Sequence, residues 1–211
     1  FLNLYYKNMK KIFIILICGF YVIYLNSQTK LWVGGNGVWN DANNWDPVGI
    51  PLSSDSVSIT IANTITIPST FNAVSKALYL KNGADLVIET SATLFINGAL
   101  EDGLQLIGNG TTLSNSGIIK IGNNSTIYRN GILLLNGSQI TNNSSGIIEI
   151  DNITFNIGLA MSSFFLQPSS SFNNNGTLKI GKYQTINQCA LFIQNSQFTN
   201  NSSGIIEIDN I

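Results

Sequence analysis

Through the second half of the chain, apolar and polar residues alternate in short runs, and the runs recur. After each of Gly117, Gly146, Gly176 and Gly204 the second and fourth residues are apolar and the third is charged: Ile119-Lys120-Ile121, Ile148-Glu149-Ile150, Leu178-Lys179-Ile180 and Ile206-Glu207-Ile208. Alternation with a period of two is the signature of a strand. The runs are short and rich in β-branched residues, and Asn, Ser and Gly bound them, which excludes a helical repeat. The four glycines are 29, 30 and 28 residues apart. A fixed period of this size marks a solenoid, in which one repeat buries its apolar face only when the next stacks on it.

Two further runs recur inside each period. One covers Ile132 to Leu135, Phe164 to Leu166 and Leu191 to Ile193; the other covers Gln139 to Thr141, Ser170 to Phe172 and Gln197 to Thr199. Three strands per period predict an all-β fold, a right-handed parallel β-helix with coils of about 29 residues. Earlier in the chain the glycine phrase is irregular. Strands are expected there at Val57 to Ile61, Thr64 to Ile67, Ala77 to Leu80, Leu86 to Ile88, Thr93 to Ile96 and Leu104 to Ile107.

Stacking makes two predictions about register. The charged position reads Lys120, Glu149, Lys179, Glu207, so neighbouring rungs, roughly 4.8 Å apart, would carry opposite charges. Asn115, Asn142, Asn174 and Asn200 occupy matching places before the glycines. They are read either as an inward ladder of amides bonded from coil to coil or as solvent-facing turn residues.

The first part of the chain follows a different pattern. Met9-Lys10-Lys11, an apolar run from Ile12 to Leu25 and the polar exit Asn26-Ser27-Gln28 read as a signal peptide over residues 9–27, with Phe1 to Asn8 as upstream mistranslation. The apolar run is shorter than the ~20 residues a membrane span needs, so no stable span is expected once the leader is cut. Residues 28–54 read as a Trp-rich N-terminal cap and residues 55–211 as the β-helix, which is expected to be truncated at its C-terminus because the last coil has no closing segment.

Composition narrows the function. Charged residues make up 10% of the chain. Three of the ten basic residues, Lys7, Lys10 and Lys11, lie before Gln28, which leaves a net charge of −4 beyond it and no basic patch for nucleic acid or anionic lipid. Beyond the leader Cys189 is the sole cysteine, so stability rests on stacking and not on an intrachain disulfide.

Trp32, Trp39 and Trp45 all fall within Leu31-Trp-Val-Gly-Gly-Asn-Gly-Val-Trp-Asn-Asp-Ala-Asn-Asn-Trp-Asp-Pro-Val-Gly-Ile-Pro51. This stretch, followed by Asp55-Ser-Val-Ser-Ile59 and the repeats, resembles the opening of secreted bacterial β-helix proteins, in particular Bacteroidota-type surface proteins and autotransporter-passenger-like adhesins. The resemblance implies a secreted or outer-surface location and leaves activity open, because such folds carry adhesins, fibres and carbohydrate-active enzymes. Two roles fit the tryptophans: covering the open first coil, or presenting a ligand-binding platform that stacks on glycan rings.

Candidate chemistry is sparse. The sequence has no histidine, which removes His-based triads and the commonest metal ligand. Glu149 with Asp151, and Glu207 with Asp209, have the two-residue spacing that puts carboxylates about 7 Å apart on one strand face, a separation an inverting glycosidase can use; a structural role in a duplicated phrase is the stronger reading. Asp41, Asn43, Asn44 and Asp46 offer oxygens, but Trp45 interrupts the ligand spacing of a calcium loop. No cofactor and no metal is therefore expected. The sequence points to a non-enzymatic stalk or adhesin, with glycans or other cell-surface molecules as partners and no defined oligomer. The alternative is the N-terminal part of a carbohydrate-active β-helix enzyme, a polysaccharide lyase or glycosidase, with its catalytic coils beyond residue 211.

Overall fold

The computed structural model describes residues 28–98, 102–154, 162–183, 186 and 189–210. The leader assigned to residues 9–27 lies outside them. Among the described residues, strands of two to five residues build three sheets of eight, seven and six strands, and the chain visits the sheets in turn. Every pairing between successive coils is parallel, as in the register of Leu104 to Leu78 and to Ile132 in the first sheet. The protein is a parallel β-solenoid.

The alternation read from the sequence sets which side chains enter the interior. Thr64–Ile67 alternates partly exposed Thr with fully buried Ile65 and Ile67, and the pattern repeats at Asp85–Ile88 and Thr177–Ile180. Coil after coil, the inward positions stack as Ile65, Leu86, Leu113, Ile140 and Phe172 in the second sheet. They belong to one continuous apolar core. Near its far end Phe164, Phe172 and Phe198 stack with ring centroids 4.7 to 6.1 Å apart. A side chain in such a column is covered by those of the coils above and below, so no single coil completes its own interior.

The charge column stands in the expected register. Lys120, Glu149, Lys179 and Glu207 are direct neighbours across four successive strands of the third sheet. Glu149 lies between two cations, with Lys120 Nζ at 3.4 Å and Lys179 Nζ at 3.5 Å. Because Glu149 is 7% exposed, its attraction to both lysines is weakly screened. The Glu149→Lys variant, which sets three ammonium groups on adjacent rungs, is expected to lose about 2–4 kcal/mol. Urea unfolding should show the loss, and it should shrink when Lys120 and Lys179 are both changed to Glu. A loss that the compensating charges leave unaltered would mean that volume, and not charge, matters at this position.

Coil length departs from the expected constant period. Thr64 to Asp85 is 21 residues, Asn115 to Asn142 is 27, and Asn142 to Asn174 is 32. The strands hold their register while the corners absorb the difference, because core packing constrains only the inward-facing strand positions. The sequence reading also omitted the strand Asn72–Ser75, which opens the third sheet. Asn72 and Ser75 are poor strand formers, and their place is fixed by pairing with Thr93–Ile96.

The Trp-rich segment closes the N-terminal end. Thr29–Trp32 pairs in parallel with Ser56–Ile59 on one side and antiparallel with Trp45–Asp46 on the other. The chain thus folds back over the first coil and occupies the strand edge that parallel stacking leaves open. The three indoles gather beneath this return. Trp45 meets Trp32 edge-on at 5.0 Å and Trp39 at 4.9 Å, and its Nε1 donates to the Trp39 carbonyl at 2.8 Å.

Candidate functional site

The residues singled out for binding or chemistry lie in four places, and the fold treats them differently. Trp32, Trp39 and Trp45 are 3%, 0% and 0% exposed. An aromatic platform for sugars needs an open ring face, and these rings are packed against one another and the core, so the glycan-stacking assignment is corrected. The indoles are core residues of the terminal coil. The Trp32 Nε1 is used internally as well, donating to the Gly35 carbonyl at 3.1 Å.

Of the two carboxylate pairs, Glu207 and Asp209 are exposed, whereas Glu149 and Asp151 are committed to structure. Glu149 faces Lys120 and Lys179, while Asp151, 2% exposed, accepts from the Tyr183 amide at 2.9 Å. Both carboxylates are buried, whereas an inverting glycosidase needs its pair open to a sugar and a water on opposite sides. The oxygen-rich stretch at residues 41–46 forms a turn. Asp41 caps the short 3-10 segment Ala42–Asn44 by accepting from the Asn43 amide at 3.0 Å, and Asn44 Nδ2 donates to the Val38 carbonyl at 3.2 Å. Among the described residues no cluster of three or more His, Cys, Asp or Glu is placed to hold a metal ion.

The asparagine phrase turns inward. Asn115 Nδ2 donates to Asn142 Oδ1 at 2.8 Å, Asn142 Nδ2 to Asn174 Oδ1 at 2.8 Å, and Asn174 Nδ2 to Asn200 Oδ1 at 2.7 Å. The first three of these amides are fully buried. Each also reaches the backbone of the next coil: Ile147, Thr177 and Ile205 carbonyls accept at 3.2, 3.2 and 3.1 Å. A primary amide has two N–H donors and a carbonyl with two lone pairs, which lets one side chain bond along the stack and to the corner backbone at once. The glycines of the phrase follow from this approach. A Cβ at Gly146 would overlap Asn142 Oδ1 and the Asn115 carbonyl, and one at Gly176 would overlap the Gly146 carbonyl.

A second corner ladder escaped the sequence reading. Asp102 Oδ1 accepts from the Asn130 amide at 3.1 Å and from Asn130 Nδ2 at 2.8 Å, while Asn130 Oδ1 accepts from the Ser162 amide at 3.0 Å. All three residues are buried. Their residue types differ from coil to coil, so no repeated letter marks the column in the sequence. Only the 28-residue step from Asp102 to Asn130 hints at it.

Outside, the second sheet presents short polar side chains. Thr64 Oγ1 and Thr112 Oγ1 both donate to the Asp85 carboxylate, and Gln139 Nε2 donates to Ser171 Oγ at 2.8 Å. At the corner between the third and first sheets there is a cleft of about 460 Å³, lined by Ser53, Ser54, Lys76, Asn97, Gly98, Asn124 and Ser125. Nothing in the sequence announced this cleft.

The fold and its internal ladders define the class: a capped parallel β-solenoid held by polar columns at two of its corners. Residues 31–145 match the family model described as Domain of unknown function (DUF8693), and the chain belongs to that family. The matched stretch runs from the tryptophan cap through the rung of Asn142, and it includes the residues that line the cleft. No curated protein and no solved structure matches the chain.

Proposed function

We propose that the protein is exported and displayed on a bacterial outer surface, where the solenoid is a non-enzymatic stalk with adhesive sides. The observation that supports this most is the unbroken inward asparagine ladder from Asn115 to Asn200, which ties each coil to the next along the axis. Buried side-chain bonds parallel to the stack add to the backbone ladders and oppose local opening, the step a protease needs. The outward hydroxyls and amides of the second sheet repeat once per rung, so weak contacts to glycans or other cell-surface molecules add through multivalency. The leader at residues 9–27 supplies the route out of the cell.

Display is tested by expressing the full chain with an epitope tag at its C-terminus in a bacterial host. Protease added to intact cells is expected to remove the tag, and N-terminal sequencing of the mature protein is expected to begin near Gln28. An uncleaved chain retained inside the cells would reject the proposal.

A further inference from the structure

The corner that holds Asp102, Asn130 and Ser162 continues to the capped end of the molecule. Strand register sets Gln28, Asp55, Lys76, Asp102 and Asn130 in one column there, each one or two residues ahead of a strand of the first sheet. Near the start of this column stands a buried carboxylate, Asp55, 4% exposed. Its backbone is fixed from two directions: the Asp55 amide donates to the Leu52 carbonyl at 3.0 Å, and the Asp55 carbonyl accepts from the Lys76 amide at 2.7 Å. Oδ2 accepts from the Leu52 amide at 2.9 Å, so the turn at residues 52–55 holds the carboxylate in place.

The other oxygen is poorly used. Oδ1 faces the Gln28 backbone nitrogen at 3.4 Å, beyond the ~2.7–3.2 Å of an ordinary N–H···O bond. At Asp102 one oxygen meets two donors, the Asn130 amide at 3.1 Å and Asn130 Nδ2 at 2.8 Å. Among the described residues both salt bridges belong to Glu149, and none reaches Asp55. A buried carboxylate is stable when a cation or a full set of hydrogen bonds meets it. The nitrogen that Asp55 Oδ1 faces belongs to the residue that directly follows the leader at residues 9–27.

We propose that the leader is cut at the Ser27–Gln28 bond and that Asp55 is the receptor for the α-ammonium group this cut creates. Hydrolysis by a leader peptidase consumes one water: Ser27 leaves with the oxygen as a carboxylate, and both water protons go to the Gln28 nitrogen, which becomes an ammonium. The long amide contact is then replaced by a charge-assisted bond, roughly twice as strong and usually ~2.7–2.9 Å long. Gln28 leads into Thr29–Trp32, the strand that pairs with the returning Trp45–Asp46, and its carbonyl accepts from the Ser56 amide at 2.9 Å. Pinning this residue clamps the cap, which reaches full stability only once the leader is gone. The geometry selects one bond, because a cut one residue earlier or later moves the ammonium by ~3.3–3.6 Å, out of reach of Oδ1. The inference rests on the reading of the chain as exported and adds the cut site and the group that receives the new terminus.

The test uses the full chain, exported and processed in a bacterial host. Mass spectrometry of the mature protein is expected to find Gln28 as the first residue with a free α-amine. Acetylation of that amine is expected to be about tenfold slower than in Asp55→Asn, because a neighbouring carboxylate holds the proton on the nitrogen. A second variant carries Gly-Gly between Ser27 and Gln28, so that its mature chain starts two residues early and keeps an amide at Gln28. Its folding equilibrium constant, read from urea unfolding, is expected to be about tenfold lower, and Asp55→Asn should cost the native-length chain more than the extended one. Circular dichroism confirms that each variant is folded. The extended chain decides if Asp55→Asn unfolds, and acetylation decides if the extended chain is cut elsewhere. A first residue other than Gln28, a Gln28 cyclised to pyroglutamate, equal acetylation with and without Asp55, or an extended chain as stable as the native one would overturn the proposal. A displayed chain that fails these tests rejects the Asp55 receptor alone, and a chain that passes them but stays within the cell envelope rejects display alone.

Discussion

Replacing Asn142 by alanine is expected to destabilise the solenoid by about 3–5 kcal/mol, more than any other single change in the asparagine column. Asn142 Nδ2 donates to Asn174 Oδ1 and to the Gly146 and Thr177 carbonyls, and its Oδ1 accepts from Asn115. Alanine would strand several of these groups in a fully buried corner, each at a cost of about 1–3 kcal/mol before the structure relaxes. The same change at Asn200, which is exposed, should cost less than about 1 kcal/mol, because water can replace the lost bonds. Urea unfolding of the two variants side by side reads the difference. Equal losses at positions 142 and 200 would mean that the amides act as turn residues and that the buried ladder contributes little. Because coils interact only with their neighbours, limited proteolysis of the Asn142 variant should also show first cleavage near the corners at residues 115–117 and 143–146.

Trp45→Ala is expected to have an effect of similar size, about 3–5 kcal/mol, and to act at the other end of the molecule. Trp45 is fully buried, packs against both other indoles and lies on the returning strand that pairs with Thr29–Trp32. Removing it opens a cavity under the cap, and the Trp39 carbonyl loses its donor. Trp45→Phe should recover part of the loss by refilling the space, without restoring the hydrogen bond. Thermal unfolding measures both variants, and acrylamide quenching of the wild-type fluorescence should be weak because all three rings are inside. Strong quenching, or an alanine variant as stable as wild type, would show that the rings face solvent and would return them to a binding role.

The solenoid itself could be read from residue spacing. Alternation after each glycine identified the strands, and the period identified stacking. The alternating column Lys120, Glu149, Lys179, Glu207 even set the register, because only one alignment of the coils pairs opposite charges throughout. Other elements left a weaker trace. Asn72–Ser75 has little strand propensity and is a strand because its neighbour offers a free edge. The Asp102–Asn130–Ser162 column changes residue type at every step, and a one-dimensional search for repeats passes over it. The tryptophans carried too little information to decide their role, since an indole that caps and one that stacks on sugar look alike in a sequence.

What the sequence determined by itself was periodicity: which positions face inward, how coils align, and where charges and amides recur, because in a stacked fold each of these depends on residue spacing alone. What only the tertiary structure decided was depth. Burial of the three indoles, the commitment of Glu149 and Asp151 to internal partners, and the cleft lined by Ser53, Asn97 and Asn124 all arise where segments from different coils meet, and their chemistry depends on which neighbour excludes water. A period places residues along an axis, but exposure at a corner depends on the lengths of the loops in the coils on either side.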